Sequence, residues 1–466
     1  NITGITLGGT AAKNYVLDNS GTTTMPGVGL PSQPPGPPII IPTPNTANTA
    51  TTTANITRLA SVTWVGGATG NWFDAANWAG GAVPDLANVA SVVLPANVKV
   101  TFNGAMDAVM IDTLGSLGAM DMASGTLNVG TGGITLAGLN QTGGKLSTTG
   151  NLSVNQPEGA IQLGDLTVGG TMTVKTNGAI SQLANTAIVV TGATSVDAGA
   201  NDIALNGSNN DFGTVNLNGK AISFTDAKGG LVLGDVKSTG DAFLFSEGGA
   251  ITQAANTSVS VGGDATVNAT THDVVLGSTA NSFTGKVTSI GKDITLGAKG
   301  ALTAAISATG QATLNAGGNL AVSGKAGTDL TMTTTGENST TTFSNTTVGK
   351  DLTVISAGNV AQAEGTSLAV TGKTLINAGT KDVNLSNAGN AFSSIGVAGG
   401  AVSITDKDGV ALDKIQATSL AVKAGGAVTQ VADKAIEVTG ATSVDAGDND
   451  VTLGNANNDF NSIAVT

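Results

Sequence analysis

The chain has 466 residues, a net charge of −13, one histidine and no cysteine. The missing thiols exclude zinc ribbons, iron–sulfur sites and cysteine nucleophiles, and a single arginine, Arg58, excludes the basic footprint that nucleic acid or an anionic membrane surface demands. Aromatic residues make up 3% and charged residues 11%, while glycine numbers 67; this mixture favours short strands with tight turns over long helices and over a thick globular core.

In chain order, residues 1–24 read as the end of a small β domain, because ITGITLGGTAAKNYVL alternates like a strand pair. Residues 25–60 read as a Pro- and Thr-rich linker. PGVGLPSQPPGPPIIIPTP, Pro26 to Pro44, denies helix and sheet their hydrogen bonds and favours an extended spacer. Residues 61–150 read as a tryptophan-rich cap and the first coils of a solenoid. All three tryptophans, Trp64, Trp72 and Trp78, fall in TWVGGATGNWFDAANWAGGAVPD, and strand-like runs punctuated by Gly, Asn or Asp follow.

Residues 151–466 are repetitive. Val190–Gly199 and Val438–Gly447 both read VTGATSVDAG, and looser copies begin at Val261 and Val370. A Gly-Ala-Ile/Val-x-Gln signature ends at Gln182, Gln253 and Gln430, with GNVAQ ending at Gln362; the glutamines are 71, 109 and 68 residues apart. The long interval holds a degenerate copy, Thr309 to Gly324. Self-similarity on this scale belongs to stacked arrays. With about 20 residues per coil, each unit should hold three or so coils, and residues 101–466 about eighteen, a rod on the order of 85 Å. One coil alone cannot bury enough apolar surface to order itself, so stability must accrue between neighbours.

Both ends carry expectations. The opening NITGITLGG lacks the charged and apolar regions of a signal peptide, which reads as a mature form or an internal fragment. NDFNSIAVT, Asn458–Thr466, matches NDFGTVNLN, Asn210–Asn218, but lacks the continuation that follows the earlier copy, so the solenoid reads as truncated there. No apolar run is long enough for a membrane-spanning helix.

The candidate residues have two readings each. His272 as a catalytic base would need partners, yet Asn201, Lys381 and Asn449 hold the same place in the other copies, which suits a solvent-facing turn. Asp202, Asp273, Asp382 and Asp450 recur in all four copies. Stacked carboxylates suit calcium, but no GGxGxD repeat is present and an Asx-type turn before a strand is the simpler reading. Asn210, Asn281, Asn390 and Asn458 read as internal corners, and Phe212, Phe283, Phe392 and Phe460 as core fillers. Trp64, Trp72 and Trp78 suit either a sugar platform or a buried cap. No catalytic, cofactor-binding or metal-binding residue is assigned.

VTGATSVDAGANDIALNGSNNDFGTV, preceded by GAISQLANTAIV, resembles repeats of filamentous-haemagglutinin-like exoproteins, large bacterial adhesins exported by two-partner secretion. The pattern from Trp64 to Asp85 is similar to segments that introduce β-helices in such proteins, and GITLGGTAAKNYVL looks like the end of a small β domain common in them. The resemblance implies an all-β, right-handed parallel β-helix stalk on a bacterial cell surface or in biofilm matrix. The partners implied are an outer-membrane transporter during secretion, and extracellular polysaccharide or neighbouring adhesin copies afterwards. Handedness also follows from the rule for parallel crossovers. The expected function is therefore a non-enzymatic stalk of an adhesin. Its rivals are a surface-layer or sheath protein, a carbohydrate-binding β-helix and a polysaccharide-acting β-helix enzyme. The missing cysteines suit a large exported chain.

Overall fold

The computed structural model describes residues 15–18 and 55–466. The proline-rich stretch Pro26–Pro44 and the opening residues lie outside them. The chain is a parallel β-solenoid of about 19 turns. Among the described residues one continuous sheet joins 44 strands, and the one helical piece is a single 3-10 turn, Ala75–Asn77.

The solenoid follows from alternation. In Leu302–Ala308 the side chains of Leu302, Ala304, Ile306 and Ala308 are buried, while Thr303 and Ser307 face outward. A strand of this pattern hides one face only, so it wraps around an interior shared with the strands above and below. The interior is built of columns. Leu276, Leu296, Leu314, Met332, Val354 and Ile376 stack in register on successive coils, each at most 3% exposed. Each member from Leu296 to Val354 stacks between apolar neighbours on two coils, so its burial depends on both.

The first coil begins with the strand Asn55–Thr63, whose Leu59–Thr63 segment pairs in parallel with Val89–Val93. That strand starts inside the stretch 25–60 expected as linker, so its last residues belong to the solenoid. Asn55–Arg58 pair antiparallel with Tyr15–Asp18, the one antiparallel strand pairing among the described strands, and this covers part of an otherwise open edge. The tryptophans fill the interior at this end. Trp64, Trp72 and Trp78 are at most 3% exposed. Trp78 meets Trp64 and Trp72 edge to face at 5.1 and 4.8 Å, and Trp72 meets Phe102 at 5.5 Å. Trp78 donates its indole N–H to the Trp72 carbonyl at 2.7 Å. Rings buried this deeply offer no platform to a sugar.

The sequence unit is not a whole number of turns. Ile180 stacks on Ile203, Ile222, Ala242 and then Ala265 down one broad face. Its counterpart in the next copy, Ile251, falls in the chain between Ala242 and Ala265, yet stacks on Leu231 and Val274 in the other broad face. The unit therefore spans about three and a half turns, not three. Val360 returns to the first face, stacked on Thr341 and Val383, and Val428 lies on the second, stacked on Val410. Consecutive copies alternate between faces. The longest of the three glutamine intervals is extended by two whole turns, Ile294 to Ala312 to Leu330, so the alternation survives it.

Each copy also needs a left-handed residue after the same strand. Gly199, Gly379 and Gly447 have φ of 59°, 61° and 58°, and each amide is held by the Asp or Asn two residues before it. In the second copy this place is Thr270, with φ of 55° and its amide bonded to Asn268 at 2.8 Å. A β-branched residue there is strained by roughly 1–2 kcal/mol. Thr270→Gly should stabilise the coils around it by about 1 kcal/mol, measured as slower amide exchange in Ala265–Asn268 and Val274–Leu276, whereas Gly199→Thr should speed exchange in Thr194–Asp197.

Candidate functional site

The residues that recur most faithfully form a polar bracket, a half-buried glutamine paired with an asparagine at a corner of the interior. Gln182 donates to Asn210 Oδ1 at 2.8 Å, and Asn210 donates back to Gln182 Oε1 at 2.9 Å. The same Nε2 also reaches the Thr186 carbonyl, and Asn210 Oδ1 accepts the Ile188 amide at 2.9 Å. The arrangement recurs for Gln253 with Asn281, Gln362 with Asn390 and Gln430 with Asn458, at 2.6–3.0 Å. Asn210, Asn281 and Asn390 are fully buried. Each bracket ties a strand-ending glutamine to an asparagine on the following coil and closes the short turn between. That turn holds a left-handed residue in every copy: Asn185, Asn256, Gly365 and Asp433, with φ of 60°, 61°, 71° and 60°. Asn, Gly and Asp are the residues that tolerate it. Both N–H groups of every bracket amide are used internally and every amide oxygen accepts at least one bond, so the bracket is a lock between coils.

The recurrent aspartates hold the next coil. Asp202, Asp273 and Asp382 each accept, through Oδ1, a backbone amide of the coil below, from Ala221, Asp293 and Ala401, at 2.9–3.2 Å. The expectation was an Asx-type turn within their own coil; the parallel stacking brings a nearer donor from the neighbour. Asp273 and Asp293 form a relay, since Asp293 Oδ1 then accepts the Gln311 amide at 3.0 Å. Among the described residues no group of three or more His, Asp or Glu is arranged to hold a metal ion.

His272 sits in a turn, its amide bonded to the Ala269 carbonyl and its carbonyl accepting from Lys292. It is half-buried rather than solvent-facing, and its Nδ1 lies buried without a hydrogen-bond partner. No acid or nucleophile hydrogen-bonds to it. Phe212, Phe283 and Phe392 are at most 7% exposed, and Phe460 packs on the core from the last coil.

Two carboxylates are buried in the corners beside those phenylalanines. Asp226 accepts the amides of Phe212, Lys228 and Gly229 at 3.1–3.3 Å. Asp406, its counterpart in the third copy, accepts those of Phe392 and Asp408 at 2.6 and 2.8 Å. Burial pushes both above the usual carboxylate value, against these hydrogen bonds. Asp197 and Asp413 go the other way. Burial alone would raise them, but Asn218 and Lys175, and Lys373, respectively, outweigh it. Asp445 is held low by Lys423 at 2.6 Å.

Two grooves lie at equivalent places on one broad face, one in the first copy and one in the third. The first, of about 430 Å³, is lined by Asp202, Ala204, Ser223, Asp241, Phe243 and Asp264 among others. The other, of about 630 Å³, includes Asp382, Asn384, Ser403, Ser419, Ala421 and Ala441.

The repeats match a family described only as repeats of unknown function (DUF5649), over residues 149–218, 219–290, 327–397 and 399–466. These spans cover more than half of the chain. The chain belongs to that family. Each matched span carries one Gln–Asn bracket, and the unmatched 291–326 coincides with the two additional turns. No curated protein and no solved structure matches the chain.

The sequence singled out both members of the bracket but not their pairing. The signal was present: each asparagine follows its glutamine by 28 residues in all four copies. Asn281→Ala removes the partners of Gln253, of the Val259 amide and of the Leu276 carbonyl. At about 1–3 kcal/mol per buried group left unpaired, it should cost about 3–5 kcal/mol, read as loss of amide-exchange protection confined to the coils between Ile251 and Leu296.

The buried aspartates give a pH prediction. A carboxyl raised in the folded chain binds protons more tightly there than in the unfolded chain, so its contribution to stability is complete below pH 3.8 and is lost as pH rises through the raised value. Asp197, Asp413 and Asp445 contribute above 3.8 and lose it as pH falls through their lowered values. Asp226→Asn should flatten the gain in local stability around Phe212 as pH falls from neutral toward 3.8, measured by amide exchange across that range; an unchanged slope would refute the assignment.

Proposed function

We propose that this chain is a non-catalytic stalk segment of a secreted or surface-attached bacterial adhesin, of the filamentous-haemagglutinin-like, two-partner secretion type. It acts as a stiff spacer in cell–cell or cell–matrix attachment. The observation that carries the reading is the unbroken parallel ladder from Leu59 to Val465, without a hinge or an inserted domain. About 19 turns at ~4.8 Å per turn make a rod on the order of 90 Å long. Such an object sets distance. Its stiffness comes from every coil being bonded to two others, so bending must stretch many ladder bonds at once. The recurrent polar residues are spent on inter-coil bonds, which supports a role in holding shape over one in chemistry. The acidic, cysteine-free composition suits export and a soluble, self-repelling surface.

The test is a deletion in the parent protein in its own bacterium. Removing residues 183–362 joins Gln182 to Ala363 at equivalent places on the same face, and takes out nine turns, or ~43 Å. Immunolabelled intact cells should show the chain at the surface in both strains, and the deletion strain should aggregate less and project a shorter rod in electron micrographs. Retention of the chain inside the cell, release of reducing ends from polysaccharide by the purified chain, or its calcium-dependent assembly into a regular lattice would each overturn the reading.

A further inference from the structure

The first-copy groove, about 430 Å³ in volume, combines carboxylates with an exposed aromatic ring. Phe243 is 41% exposed, on the outward side of a strand where neighbouring coils carry Ser223 and Thr266. Phe245, two residues on, lies nearly parallel to it, with 19° between the rings and 6.2 Å between their centres. Beside the phenylalanines runs a column at the starts of the strands: Asp202, Ala221, Asp241 and Asp264, one per coil. Each aspartate is fixed through Oδ1 by a backbone amide of the coil below, from Ala221, Asp264 and Lys286, at 2.9–3.2 Å. Among the described residues nothing donates to the second oxygen of any of the three. The groove lining contains three carboxylates and no basic side chain.

The geometry points to this groove as a binding site for a cationic amino-sugar polymer, a glycan of β-linked hexosamines with free amines, lying along the solenoid axis. Charge selects the ligand class: three fixed carboxylates repel uronate, sulfate or phosphate polymers and attract amines. The exposed ring faces take the apolar side of a pyranose or an ammonium group. Spacing selects a glycan over a peptide. Coils repeat at ~4.8 Å, close to the rise of one β-linked hexose, so successive sugars meet successive coils. A β-1,4 chain turns over at each residue, so alternate amines face the column, spaced as Asp202 and Asp241 are, two coils apart. The volume lies within the ordinary range of ligand sites.

The chain contains its own comparison. In the third-copy groove, Ser419 stands where Asp241 does, Ala421 where Phe243 does and Ala441 where Asp264 does, while Asp382 matches Asp202. The inference does not rest on the stalk reading, since a rod is a spacer whether or not the groove is filled.

The experiment is calorimetric titration of the whole chain with fully deacetylated glucosamine hexamer, its N-acetylated counterpart and a lysine hexapeptide. Binding of the deacetylated hexamer alone is expected, weakening as salt is raised. Phe243→Ala and Asp241→Asn should each weaken it by roughly tenfold, with Asp382→Asn silent. These are surface positions, and an unchanged circular dichroism spectrum identifies variants that keep the fold. Failure of the deacetylated hexamer to bind, equal binding of the N-acetylated hexamer or the peptide, or full binding by Phe243→Ala would overturn the assignment. Loss of surface display in the deletion strain would leave it standing.

Discussion

The structure depends on the contact between one coil and the next. Within a coil there is almost nothing to hold the chain: its strands are short in the repeats and make few bonds to one another. The backbone hydrogen bonds, the apolar columns and the aspartate and Gln–Asn bonds all run along the axis. Each coil is therefore unstable alone and stable between neighbours, the thermodynamics of a one-dimensional array. The need for something different at the first coil follows directly. Three tryptophans occupy the interior there, with Trp72 packed against Phe102 of the next coil, and they supply from one coil the apolar surface that other coils obtain from two.

The half-turn phase of the repeat adds a second consequence. Two broad faces of the solenoid accept the same sequence, because the only demands on a strand are inward apolar residues and a partner in register. Ile180 and Ile251 make equivalent contacts on different faces. A duplicated unit of three and a half turns thus fits as well as one of three or four, and the added 291–326 leaves the pattern undisturbed. The surface chemistry is not so constrained. Outward positions such as Asp241, Phe243 and Asp264 diverge to Ser419, Ala421 and Ala441 while the strand ladder and the inward side chains of the stack are kept. The stacking fixes the inside of the rod and leaves the outside free to acquire separate tasks in different copies.

This division also explains what was legible in the sequence. The period-two alternation, the turn residues and the internal copies led to the parallel β-solenoid, since those features are imposed by inward packing. The buried corner asparagines and phenylalanines were readable from their recurrence. What escaped was everything set by stacking register. The aspartates bind the coil below rather than their own turn, and Gln182 finds Asn210 across coils. The unit is three and a half turns, because neither the face nor the phase of a copy is encoded locally. Asp226 and Asp406 were not singled out at all, as two of the four copies lack a counterpart within the chain. The groove at Phe243 was invisible for a related reason: its residues come from four coils, and Asp241, Phe243 and Asp264 are not repeated in the equivalent groove.

The Gln–Asn bracket raises the question of why a corner is closed with amides rather than with aliphatic side chains. An apolar corner would bury the Val259 amide and the Leu276 carbonyl unpaired, or force the turn to open to water. The amide pair satisfies both groups, and it does so only when the two coils are in one register. A two-residue slip, which keeps inward side chains inward, would leave a half-buried glutamine and a buried asparagine facing apolar neighbours, a cost of several unpaired groups at once. The apolar columns discriminate poorly against such slips along the coil, because Val, Leu, Ile and Ala substitute for one another from coil to coil. Four brackets placed three and a half to five and a half turns apart therefore act as register marks in a stack whose core chemistry is nearly uniform. They explain how so repetitive a sequence settles on one pairing among many that its hydrophobic pattern would allow.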